Sequence, residues 1–374
     1  MTDIIDQLLK SDEPSIRYKT RVNRLGEDPA SNSIRALQEE IRTSARVQKL
    51  LEHRHPSGRL EPIKNPYNKW TGAHWVFARL ADIGYPAGDE SLLPMRDQIL
   101  ECWLNPEYNR ETVITKPKLP TGVYHGVPII EGRPRQHASQ HANALWSILK
   151  LGLPDGHWHE VPCRHEIPCL HELASLLQRW QWPDGGWNCD KRPAAVNSSF
   201  FESILPVRGM SLYAKVYNDP QAVVCAQRAA EVFLRRKLYK RQSNGEIIRK
   251  DFVKLHYPCY WEYDILFGLK VMAEGGFISD PRCSEALDLL ESKRLPDGGW
   301  PSEAAYYHVR GGVREGKQQN GVQPENPRQE RRERRGEGRV ELVSWGGVST
   351  RKMNPWVTVD ALYVLRAAGR IKHN

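Results

Sequence analysis

The stretch Pro183-Asp184-Gly185-Gly186-Trp187 recurs almost unchanged as Pro296-Asp297-Gly298-Gly299-Trp300. Paired glycines behind a proline permit a tight reversal, so the two copies read as one turn used twice. Each follows an amphipathic stretch, Leu170 to Trp182 and Cys283 to Leu295, with apolar residues at three- and four-residue steps. A helix running into a turn whose tryptophan re-enters the packing is half of a repeating unit.

Outward from these turns, five segments superpose without a gap on a polar residue whose second and third followers are apolar. They are His74-Trp-Val-Phe, Asn143-Ala-Leu-Trp, Glu202-Ser-Ile-Leu, Asp264-Ile-Leu-Phe and Asp360-Ala-Leu-Tyr. Glycine closes each segment, at Gly84, Gly152, Gly209, Gly275 and Gly369, as expected of helix C-caps. A weaker sixth copy starts at Arg17 and ends at Gly26. The spacings of 69, 59, 62 and 96 residues suit helical hairpins, the longest being stretched by a Gly-, Gln- and Arg-rich insertion at 310–340. Low hydrophobicity predicts that this insertion is a solvated, disordered loop, with contact to nucleic acid or anionic lipid as the alternative. No stretch alternates with period two, so no sheet is expected. The chain is predicted to be all-α, a single domain over residues 1–374.

The segments Leu177-Gln178-Arg179-Trp180-Gln181-Trp182-Pro183-Asp184-Gly185-Gly186-Trp187 and Ser292-Lys293-Arg294-Leu295-Pro296-Asp297-Gly298-Gly299-Trp300 resemble the Gln-Trp repeats of squalene-hopene and oxidosqualene cyclases. More loosely, they resemble the repeats of protein prenyltransferase β subunits. The resemblance implies an (α/α)6 toroid whose inner helices line a central cavity, and an enzyme acting there on an isoprenoid or other apolar substrate. The families' catalytic motifs do not carry over: no Asp-x-Asp-Asp segment exists, and nothing matches the Asp, Cys and His zinc ligands of the β subunits.

Composition adds bounds. A net charge of +9 suggests acidic partners, without selecting a specific nucleic acid. No run reaches the roughly 20 apolar residues of a spanning helix, and the start lacks a signal peptide, so a cytoplasmic protein is expected, with peripheral membrane contact open. Seven scattered cysteines make no disulfide framework.

The polar column supplies the candidate site. Glu202, Asp264 and Asp360 are expected inside helices signalled by Asn197, Pro258 and Asn354-Pro355, where carboxylates facing a cavity serve as general acid and base. His74 and Asn143 share the register as ligand-orienting groups. Trp70, Tyr260 and Trp356 stand four residues before the column, and Trp261 and Tyr263 flank Asp264. Their rings suit carbocations or sugars, or plain core packing. Cys189 and Asp190 follow the first turn, where a packed structural thiol is expected, with a zinc ligand or nucleophile as the alternative. His137 and His141 share a helix face and could reach a metal but lack a third ligand, so packing or cavity lining is expected. His157, His159, Cys163, His165, Cys169 and His171 crowd one loop with spacings that match no standard zinc knuckle. No cofactor and no stoichiometric zinc are expected. Besides the apolar-substrate enzyme, two functions stay open: carboxylate chemistry on a polar substrate such as a glycan, and a non-catalytic binding or scaffold protein.

Overall fold

The computed structural model describes residues 3–115, 125–153, 169–309 and 339–371. His157, His159, Cys163 and His165, the side chain of Cys169, and nearly all of the Arg-rich insertion lie outside them. The described residues are mostly helical, and none of their helices is long and apolar enough to cross a membrane.

The chain opens with α1 (Ile4–Leu9) and α2 (Pro14–Lys19), which continues through a π-helical turn to Gly26, then α3 (Asn32–Thr43) and α4 (Ala45–Leu50). Next come α5 (Ala73–Ile83), α6 (Leu93–Trp103), α7 (Pro106–Asn109), α8 (Ala138–Lys150) and α9 (Cys169–Arg179). The remainder holds α10 (Phe200–Tyr217), α11 (Pro220–Leu234), α12 (Ile265–Glu274), α13 (Ser284–Ser292) and α14 (Pro355–Ala367). The column helices α5, α8, α10, α12 and α14 pack each on the next, α14 returns to α2, and α2 touches α5. The intervening helices α3, α6, α9, α11 and α13 each pack on the column helix before them. Column helices are buried around most of their circumference, with every residue of α8 from Ala138 to Ile148 buried, whereas the intervening ones keep a polar face.

The turns behave as read. Gly185 has φ +104° and its backbone lies against Arg228, whose carbonyl would stand 2.2 Å from an added Cβ. Trp187 and Trp300 are both buried, and each donates Nε1–H to a carbonyl of the preceding helix, Leu177 or Leu290. One detail differs from the sequence reading. Gly209 does not end its helix: α10 runs on to Tyr217, and Gly209 lies where α8 approaches so closely that a Cβ would meet the Ala142 carbonyl at 2.7 Å. At α12 the glycine pair closes the helix as read, with Gly275 as the C-cap and Gly276 left-handed behind it at φ +81°.

Short strands are present as well. β1 (Glu111–Val113), β2 (Val127–Ile130) and β3 (Arg133–Pro134) form one small sheet, and β4 (His308–Val309) pairs in parallel with β5 (Val340–Glu341). At two to four residues they are too short to print a period-two pattern.

Candidate metal centre

The polar column is brought into the interior, but its members find different partners. His74 is buried, with Nδ1 accepting from Trp103 Nε1 at 3.1 Å and Nε2 facing Asn143 Nδ2 at 3.1 Å. Burial pushes its pKa down to about 3, so it is a neutral packed histidine. His141 is bonded to the Trp103 carbonyl and Asn109 and is likewise pushed down, to about 4.

Asp360, six residues into α14, joins a buried ion cluster. Lys19 Nζ lies 2.8 Å from one of its oxygens and Lys270 Nζ 2.9 Å from the other. Lys270 also reaches Asp82 at 2.8 Å, Arg208 bridges Asp82 and Glu274, and the Tyr257 hydroxyl donates to Asp82 at 2.8 Å. Burial alone would raise the Asp82 carboxyl, but Lys19, Lys270 and Arg208 hold it well below the usual carboxylate range. The cavity beside this cluster, lined by Arg79, His256 and Cys259 among others, measures only about 10 Å³. That is room for one water at most.

Asp264 is not inside its helix. It is the N-cap of α12, accepting from Phe267 N at 2.8 Å through one oxygen and from His256 N at 2.8 Å through the other. His256 Nδ1 stands 2.7 Å from that second oxygen, and Cys259 completes a group of three metal-type side chains, with His256 and Asp264 fully buried. The helix starts late because residues 256–264 form an irregular loop, which spends the carboxylate on capping.

Glu202 differs again. It sits in the first turn of α10 and accepts from Ser139 N at 3.1 Å and Ser139 Oγ at 2.8 Å, while His137 Nδ1 lies 3.1 Å from its other oxygen. His137 precedes α8 without capping it through its side chain, so the imidazole meets Glu202 instead and its side chain is 53% exposed. A bridge between Arg135 and Asn188 ties the loop after the Pro-Asp-Gly-Gly-Trp turn to the chain entering α8, and this carries Cys189 to the pair. One ligand atom from each of His137, Cys189 and Glu202 lies within 4.8 Å of the others. Burial would raise the Glu202 carboxyl, but His137 and Ser139 hold it below the usual value; the bond to Glu202 raises His137, and burial with the Glu202 charge pushes the Cys189 thiol far up. Asp190 turns away to Arg192.

No protein-family model and no curated protein matches the chain.

The aromatic candidates also divide. Trp70 and Tyr260 stack 4.0 Å apart against Trp75, all fully buried; Tyr263 donates to the Leu238 carbonyl in the core; and Trp356 packs on Tyr257. Trp261 alone of the five is only partly buried. His171 bonds to Tyr213 in helix packing. Sequence reasoning missed Lys19, Asp82, Arg208 and Lys270, although a charge inside Leu269-Lys270-Val271 is a visible signal. It also missed that His137 and Glu202 complete the Cys189 group.

Proposed function

We propose that the chain is a helical toroid of the squalene-cyclase and prenyltransferase-β kind that works as a metal-dependent enzyme at its rim, with His137, Cys189 and Glu202 as the ligands. The closed circuit of column helices supports the toroid. One observation carries the site: nitrogen, sulfur and carboxylate donors from three separate segments converge where the histidine is open to solvent. This donor set suits zinc, whose catalytic sites combine three protein ligands with one open position. Burial and the neighbouring Glu202 carboxylate hold the proton on the Cys189 thiol, and a bound divalent cation would replace that proton. Ser139 fixes the Glu202 carboxylate from behind, so its orientation does not depend on the ion. The chemistry gained from such an ion is Lewis acidity toward a substrate oxygen.

The cavity beside the Asp82 and Asp360 cluster, with about 10 Å³, leaves no room for an isoprenoid at that place between the column helices. Of the three column carboxylates only Glu202 lies beside an exposed partner, so a two-carboxylate mechanism on a glycan lacks its second member. The smallness of that cavity also fits a non-catalytic scaffold, and metal binding separates that reading from the enzyme. Titration of metal-free protein with Co2+ should give a thiolate-to-metal absorption that saturates at one equivalent and disappears in His137→Ala and Cys189→Ser. No such absorption in folded wild-type protein would sink the proposal. A thermal-shift screen of isoprenoid diphosphates, triterpenes and oligosaccharides then finds the substrate class, because a ligand of the native state raises stability by mass action.

A further inference from the structure

Beside the proposed centre lies a second group of polar atoms that the fold leaves without partners. Lys69 is partly buried, and its Nζ lies 5.9, 5.6 and 4.9 Å from the ring centres of Tyr67, Trp70 and Trp261. Among the described residues no carboxylate or carbonyl accepts from it. Trp261 Nε1–H is buried without an acceptor, and both oxygens of Glu262, a residue only 5% exposed, lack a hydrogen bond. Arg339 stands 3.2 Å from Glu262 Oε1, with its guanidinium 5.8 Å from the Trp261 ring. Buried polar groups are nearly always paired, so the unbonded Trp261 Nε1 and Glu262 Oε2, next to a Lys69 ammonium without an acceptor, mark a place where something else binds.

The group adjoins the metal-type cluster along two routes. Tyr67 holds Lys69 against its ring and meets Gln140 through its hydroxyl at 3.4 Å, and Gln140 bonds to Ser139, the anchor of Glu202. Trp261 packs on Phe201, the residue before Glu202, with ring centres 5.6 Å apart.

We propose that Lys69, Trp261 and Arg339, backed by Glu262, form a subsite for the oxyanion of a small ligand, a phosphate or a carboxylate, whose remainder extends toward His137 and Cys189. The donors decide the class. Lys69, Arg339 and Trp261 are all hydrogen-bond donors, and two carry positive charge, so an acceptor with negative charge satisfies them together. Glu262 stands behind them as the partner of Arg339, and burial raises its carboxyl, which lessens its repulsion of an anion. Burial and Arg339 lower the Lys69 ammonium, the mark of a cation waiting for a counter-charge. The face of Trp261 offers a platform for a planar group next to the oxyanion.

The extension toward the cluster rests on the metal reading, but the anion can be tested without it. Calorimetric titration of chelator-treated protein with inorganic phosphate, pyrophosphate and malonate at fixed ionic strength reads the subsite alone. At least one probe should bind saturably, about tenfold or more weaker in Lys69→Met and within about twofold of wild type in the distant, exposed Lys215→Met. Phosphate probes against malonate distinguish the two sources of the oxyanion. Arg339→Gln is the second variant, should Lys69→Met lose its helical circular dichroism. Saturable binding by none of the three, or binding unchanged in the folded variants, overturns the subsite while leaving the Co2+ titration to judge the centre.

Discussion

Two groups of the same three chemical types, a histidine, a cysteine and a carboxylate, occur in this molecule, and they differ in almost everything else. His256, Cys259 and Asp264 come from one nine-residue loop, while His137, Cys189 and Glu202 come from three segments. In the first group the carboxylate is consumed by an N-cap and a loop amide, and Lys270, Arg208 and Arg79 line the same small cavity. A divalent cation there faces three positive side chains, while the two further carboxylates of the cavity, Asp82 and Asp360, are already held by Lys19, Lys270 and Arg208. In the second the carboxylate is anchored by Ser139, and the histidine opens to solvent. Ligand types alone do not make a site; neighbouring charge and access select between the two.

The sharpest break between interior and rim is Asp82. Asp82→Ala leaves Lys19, Lys270 and Arg208 short of counter-charge in a buried place, and should cost on the order of 3–5 kcal/mol in chemical denaturation or prevent folding. Glu202→Gln at the rim should cost roughly 1–2 kcal/mol, because the amide keeps an acceptor for Ser139. Similar losses in both variants would erase the distinction.

Glu341 tests the interior from the other side. It is fully buried, bonded to Trp345 Nε1 and the Leu342 amide, and burial outweighs these bonds and the Arg79 charge and pushes its pKa up to about 7. A carboxyl raised in the folded state contributes stability that is fully present below its unfolded pKa near 4.5 and lost as pH rises toward about 7. Glu341→Gln should therefore gain on the order of 2–3 kcal/mol relative to wild type between pH 5 and pH 8. A difference that stays flat over this range would contradict the burial argument.

A smaller effect is expected at Asp264. Asp264→Asn keeps the capping oxygen but loses charge beside His256, and the cost should be about 1 kcal/mol, with metal content unchanged. Loss of metal in this variant would transfer the site to the inner group.

How much of this was legible follows from range. The turns, the column and most helix ends are local matters of glycine, proline and 3.6-residue period, and they stand in the sequence. Glu202, Asp264 and Asp360 share a register there, yet their partners come from α8's entry, their own loop and α2 respectively, and a repeat pattern cannot distinguish such neighbours. Gly209 misled for the same reason: its need is the nearness of Ala142, a tertiary contact, and not a left-handed turn. Asp264 misled locally, because Pro258 opens an irregular loop rather than a helix.

The most direct test of the two-cluster account is elemental analysis of protein purified from its own host, comparing wild type with Cys189→Ser and Cys259→Ser. One equivalent of zinc per chain is predicted in wild type and in Cys259→Ser, and none in Cys189→Ser. Zinc-free wild-type protein, or zinc lost in Cys259→Ser and kept in Cys189→Ser, would contradict it.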